Sequence, residues 1–173
     1  MGRTDLMRRI ADQLSEVVHE AKPRLLAISD ARASEKRYAD KWSLKEILGH
    51  LVDSAANNHQ RIVRMQESRD IGVFRYTQQH WVDSQKYHSQ RWDTIVELWF
   101  HYNVHLAHII GEVDPRTLEH VCGMGYASPA TLAFVIEDYL RHVKHHLAQV
   151  FSDKDPRERE TWISRDPGQA PTP

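Results

Sequence analysis

The chain has 173 residues, with 23 Lys+Arg against 24 Asp+Glu and a net charge of −1. That length can bury a core in a single domain without structural staples, and the balanced charge leaves no general electrostatic footprint for nucleic acid. A lone cysteine, Cys122, excludes an intramolecular disulfide, fits a reducing cytosol, and reads as a small buried hydrophobe because no Cys–His pattern surrounds it.

At the N-terminus, "MGRTDLMRRIADQLSEVV" lacks the apolar run of a signal peptide. No stretch approaches the ~18 apolar residues of a membrane span. The expectation is a soluble, cytoplasmic protein. Glycine and proline number seven each, and four of the prolines lie at or beyond Pro156. Helical periodicity recurs, whereas strand-type alternation is hard to find.

Leu6/Met7, Ile10, Leu14, Val17/Val18 and Ala21 predict a first helix from about Asp5 to Ala21. Pro23 then starts or kinks a short continuation. The second helix opens at Ser43-Leu44-Lys45-Glu46, a capping box in which the Ser hydroxyl and the Glu carboxylate satisfy each other's orphan backbone donors. Its apolar stripe is Leu44, Ile47, Leu48, Leu51, Ala55, Ile62 and Met65. A third helix runs from about Arg91 to Gly111 on Trp92, Ile95/Val96, Trp99, Leu106 and Ile110, stopped by Gly111 and Asp114-Pro115. A fourth takes Ser128 as N-cap and Pro129 as its first residue, and continues to Phe151.

Four amphipathic helices of similar length predict an all-α four-helix bundle. The connection from Glu67 to Gln90 is longer than a compact domain normally carries. A crossover explains it. The second helix is about 34 Å long, and a connection of this length can run back along it, giving an up-down-down-up order. The bundle is assigned to residues 1–151, and the charged, Pro-rich stretch 152–173 reads as a flexible tail in which Trp162 and Ile163 are the docking candidates. There is no internal repeat.

Twelve histidines are unevenly placed. With Val143 at the centre of the fourth helix's buried stripe, His142 and His146 fall about 100° and 60° to one side. They share that flank with Tyr139 and Val135, while His145, near 160°, belongs to solvent or an interface. On the second helix, His50 falls about 100° from Leu51 and shares its flank with Ser54, Asn57 and Arg61. That polar wall needs hydrogen-bond partners, water or a ligand. His59 is a boundary residue. His101, His105 and His108 lie roughly 120–200° from Trp99, on the face away from the core. They read as a solvated histidine face, with adventitious metal or a dimer contact as the other readings.

Two histidines one turn apart can reach one metal ion, and a third from a facing helix leaves a coordination position open for water or substrate. Neutral imidazole suits Zn²⁺, Ni²⁺, Cu²⁺ or Fe²⁺, so the donors do not name the metal. An HxxxH pair alone is a modest signal, since histidines in a bundle also serve as hydrogen-bonding groups. His50 with its polar flank strengthens it.

"WSLKEILGHLVDS" (Trp42–Ser54), "NNHQR" (Asn57–Arg61) and "DYLRHVKHHLAQ" (Asp138–Gln149) resemble the DinB/YfiT-like superfamily over about residues 5–151. The resemblance implies an up-down-down-up bundle, often dimeric, with a divalent metal on three histidines. Carried over, those are His50, His142 and His146, the set selected by the helical wheels. It also implies a metal-dependent hydrolase, or an S-transferase that uses a low-molecular-weight thiol. Zinc or nickel is the expected ion, activating a water or a thiol against an unidentified small molecule.

Asp138 and Glu46 are candidates for outer contacts to the ligands, although Glu46 also serves as capping acid and Asp138 as solvated charge. Tyr139 can orient a ligand or move a proton, or pack with its hydroxyl satisfied. Arg61 and Asn57, with Ser54 on the same flank, suit an anionic substrate group, or a polar network tying the second helix to a loop. The alternative function is a non-catalytic metal- or small-ligand-binding, stress-related bundle. A DNA-binding reading finds no basic stripe.

Overall fold

Four long helices carry most of the chain in the computed structural model, which describes residues 2–36, 38–125 and 127–152. Helix α1 spans Arg3–Leu26 and buries Met7, Ile10, Leu14, Val18, Ala21 and Leu25 along one stripe. The expected end at Ala21 is corrected. Pro23 lies inside the helix near its end, where its missing N–H costs one bond. The next turn still closes, the Ala27 N–H donating to the Pro23 carbonyl at 3.1 Å. Helix α2, Asp30–Ser34, is capped by Ser29, whose hydroxyl accepts the Arg32 N–H; five residues are too few to show a period.

Helix α3, Leu44–Glu67, starts at the expected capping box: Ser43 Oγ accepts the Glu46 N–H at 3.3 Å and Glu46 Oε2 accepts the Ser43 N–H at 2.8 Å. Helix α5, Trp92–Gly111, agrees with the periodicity to one residue. Helix α6 is Leu132–Val150, and Thr131 caps it, its hydroxyl accepting the Phe134 N–H at 3.2 Å. The Ser128/Pro129 start is therefore corrected. Ala130 and Thr131 pair with another strand, and the helix begins only where that pairing ends.

The chain is mostly helical, consistent with the all-α expectation, and it adds one small sheet that the periodicity did not show. Strands β1 (Asp70–Val73), β2 (Val121–Gly123) and β3 (Ala130–Thr131) form a small sheet of order β1-β2-β3, parallel then antiparallel. Strands of two to four residues cannot display alternation, so only tertiary pairing reveals them. Cys122 is buried in β2, and burial pushes its thiol pKa up, as expected of a hydrophobe-like cysteine.

Helices α1 and α3 each pack against both α5 and α6. The core between them holds Leu14, Leu48, Leu51, Trp99, Leu106, Ile136 and Val143. The Trp92 indole N–H donates to the Leu25 carbonyl at 2.7 Å and fastens the start of α5 to the end of α1.

The long connection after α3 is folded. It contributes β1, then α4 (Gln78–Gln85), then a 3₁₀ turn at Tyr87–Ser89, with Lys86 between them in the left-handed region at φ 54°. Helix α4 and the 3₁₀ turn both pack on α3. Tyr87 is buried there, its ring lying where a side chain on Gly49 would stand. A Cβ at Gly49 would sit 2.2 Å from Tyr87 Cδ2. Gly49→Ala should therefore cost about 1–3 kcal/mol by overpacking, a Tm fall of roughly 2–12 °C for a chain of this size. In a Tyr87→Ala background the same change should be nearly neutral, and an undiminished cost there would place the clash elsewhere.

Candidate metal centre

Helix α3 presents His50 and α6 presents His142 and His146, the last two one turn apart. Each offers one ring nitrogen, and the three nitrogens lie within 4.8 Å of one another. His50 Nε2 and His142 Nε2 are 3.1 Å apart. Two nitrogens bound to one ion at ~2.0–2.1 Å stand about 3–3.4 Å apart for bond angles between square and tetrahedral. The spacing fits a shared ion, and the three histidines can hold a metal.

His50 is fully buried, and His142 and His146 are partly exposed. Desolvation holds all three pKa values well below 6.5, helped by the neighbouring imidazoles and, for His142, by the positive field of Arg61. The rings are therefore neutral at pH 7 and keep lone pairs for a ligand. The indole of Trp42 lies against His50, with centroids 5.2 Å apart, and is tethered to α4 by its N–H donating to Gln79 Oε1 at 3.1 Å. His146 Nδ1 donates to Gln149 Oε1 at 2.7 Å, and the Gln149 amide donates to His145 Nε2 at 3.0 Å.

The other predicted residues have partners outside this triad. Tyr139 is buried and donates its hydroxyl to Asn103 Oδ1, and burial drives its pKa far up. Asp138 pairs with Arg141 at 2.8 Å. Glu46 accepts from Ser43 and pairs with Lys36 at 3.0 Å. Asn57 donates to the Asp53 carbonyl at 2.8 Å, and Ser54 Oγ accepts from Asn58 at 3.3 Å. Arg61 is buried, donating to the Phe74 carbonyl at 2.9 Å and to Asn58 Oδ1 at 3.2 Å, which ties α3 to the segment after β1. His101, His105 and His108 are exposed, as the wheel placed them. Trp162, Ile163 and residues 153–173 as a whole lie outside the described residues.

Three residues were missed. Gln149 sits one turn beyond His146, so the wheel contained it, but an uncharged side chain drew no attention. Trp42 precedes the capped helix and has no periodicity to place it. Asp53 lies about 160° from Leu51, on the side that a wheel gives to solvent. The connection covers that face, and Asp53 is buried, with Oδ1 accepting from Tyr87 at 2.6 Å and from Gln85. Burial raises its pKa from 3.8 to about 6, against the lowering effect of those two donors.

Helices that bring three neutral histidines to one point define a protein whose site can hold a metal ion. A family model for the DinB superfamily matches residues 13–150, and the chain belongs to that superfamily. No curated protein and no solved structure matches it. Among the described residues, no helix is long and apolar enough to cross a membrane.

Two expectations follow for the metal-free protein. As pH falls below about 6.5, the unfolded chain takes up protons at the three histidines and the folded chain does not, so their contribution to stability is lost. Asp53 acts oppositely: its contribution is present at low pH and disappears as pH rises through about 6. Three groups outweigh one. The unfolding free energy from urea titrations should drop between about pH 7 and 5, by at most ~1.4 kcal/mol per pH unit for each histidine. The drop should be steeper in Asp53→Asn and shallower in His142→Leu/His146→Leu; a flat profile would contradict the buried neutral triad. Separately, Arg61→Ala should cost about 1.5–3 kcal/mol by leaving the Phe74 carbonyl and Asn58 without their donor. A variant with wild-type stability would return Arg61 to substrate binding.

Proposed function

We propose that the chain is a metal-dependent enzyme in which His50, His142 and His146 hold one divalent ion, zinc or nickel, and act on a small molecule by hydrolysis or by thiol S-transfer. The observation carrying this reading is the convergence of three buried or half-buried neutral imidazoles within 4.8 Å, drawn from two facing helices. Three histidines leave a coordination position open, the arrangement of a catalytic rather than a structural site.

When bound, such an ion supplies Lewis acidity and lowers the pKa of a water or thiol held beside it. The protein's part is positional. Neutral imidazoles keep their lone pairs directed together, Trp42 shields His50, and Gln149 holds the His146 proton at Nδ1. Ser54, Asn57 and Arg61 lie on the flank of α3 shared with His50 as substrate-binding candidates. All three are buried and hydrogen-bonded within the chain, so contact with an anionic substrate would require those bonds to be exchanged. Tyr139 and Asp138, engaged by Asn103 and Arg141, are assigned no proton-transfer step.

That last observation favours the second reading, a metal- or small-ligand-binding protein without turnover, because the triad has no adjacent uncommitted acid or base among its predicted helpers. As further parts of the proposal, the four long helices run up-down-down-up with the folded connection as crossover, residues 1–151 form one domain, and the chain is a cytoplasmic homodimer.

Elemental analysis of untagged protein, purified without chelator, should find about one metal equivalent per chain. His146→Ala should lose it while keeping its helical circular dichroism, and His101→Ala/His105→Ala should retain it. Absence of metal in the wild type after reconstitution would remove the reading. Metal-loaded protein should then turn over one of the ester, amide or thiol/electrophile panels; uniform inactivity would leave the binding protein.

A further inference from the structure

We propose that Gln149 is a positioning residue: it fixes the tautomer of His146 and couples it to that of His145. This rests on the reading of His146 as a metal ligand and concerns how the chain prepares it.

A neutral imidazole carries one proton on either ring nitrogen, and only the other nitrogen can donate to a metal. At His146 the choice is made by Gln149 Oε1, 2.7 Å from Nδ1. A carbonyl oxygen can only accept, so Nδ1 holds the proton and Nε2 is left with its lone pair. The amide, however, has two ends. Turned over, its NH₂ would face Nδ1, force that nitrogen to accept, and move the proton to Nε2. His146 would then be lost as an Nε2 donor.

His145 is the second contact of the amide, and with its proton on Nδ1 it would favour the orientation that sets Oε1 toward His146. Its Nε2 lies 3.0 Å from Gln149 Nε2, a distance that suits the NH₂ end as donor. Turned over, the amide would present its oxygen there, which would require His145 to carry its proton on Nε2 instead, so the tautomers of His145 and His146 are coupled through Gln149. Gln149 lies three residues beyond His146 and four beyond His145, the two spacings that bring helix side chains together. His145 thus has a task that its outward position on the wheel concealed.

The relay sits in the last turn of α6, which needs its own anchor. The Phe151 N–H donates to the Leu147 carbonyl at 3.0 Å, and the Arg24 guanidinium lies 3.8 Å from the Phe151 ring centroid. The end of α6 is thereby held against α1. His50, in contrast, has no partner at Nδ1 among the described residues.

The test compares wild type, Gln149→Leu, Gln149→Glu and His145→Ala. Nitrogen-15 correlation spectra of the metal-free proteins report the His146 tautomer directly. Wild type should show the proton on Nδ1, Gln149→Glu should keep it there, and Gln149→Leu should lose that preference. His145→Ala should lose it in part. Competition of Co²⁺ between protein and a chromophoric chelator should show Gln149→Leu weaker by about 10–100-fold. Gln149→Glu, which preserves the acceptor, should match or exceed wild type, a rescue that lost packing would not produce. A wild-type proton on Nε2, or Gln149→Leu binding Co²⁺ as tightly as wild type, would overturn the proposal. Failure of wild type to bind Co²⁺ at all would instead remove the metal reading, leaving the spectra to decide the tautomer alone.

Discussion

Three imidazoles share the contact between α3 and α6, and desolvation keeps them neutral. That constraint organises much of what surrounds them. A protonated ring there would face two others at close range in a medium of low dielectric, so the cluster is compatible with lone pairs and not with charge. Each ring then needs something at its second nitrogen or face. The chain supplies Gln149 to His146 and Trp42 to the face of His50, and it draws both from the edges of elements whose main business is packing.

The same constraint explains why α3 is covered on nearly every side. A helix that packs on α5 and α6 and carries His50, Asn57 and Arg61 on one flank still has Lys45, Glu46 and Asp53 on its outer side, and all of these polar residues are buried. Burial of such groups is tolerable only with partners. Lys45 finds Asp30 of α2 at 2.8 Å, Asp53 finds Tyr87 and Gln85, and Arg61 finds the carbonyl of Phe74. All but one of those partners come from the connection between α3 and α5. Its length is therefore structural: it lays a polar lining over the outer face of α3, and Gly49 lets Tyr87 approach closely enough to reach Asp53.

Where one element buries one stripe, periodicity was sufficient. It placed α1, α3 and α5 with small errors, chose His50, His142 and His146, and put the α5 histidines outside. It failed where burial is not one-sided. Asp53 sits on a face that a wheel assigns to water, because a wheel sees one helix and the covering connection belongs to another part of the chain. The strands failed for a related reason: two to four residues have no period, and their pairing joins residues about fifty apart, Asp70 with Val121. The start of α6 moved with them, since Ala130 and Thr131 pair with β2 before the helix can begin. Gln149 was legible in spacing but not in chemistry, its value depending on which nitrogen of a neighbour carries a proton.

Membership of the DinB superfamily joins a shared scaffold to this triad, but a scaffold fixes a site more firmly than a reaction. Here the residues that would ordinarily announce a reaction have partners of their own: Tyr139 holds Asn103, Asp138 holds Arg141, and Arg61 holds the segment after β1. Each bond strengthens the frame around three nitrogens and withdraws a side chain from proton transfer. Access to the triad is from the side where His142 and His146 are partly exposed, and under the proposed function any selectivity would arise there. On the proposed metal-dependent reading, three neutral imidazoles held in register would serve water and thiol chemistry alike, so the triad does not choose between them.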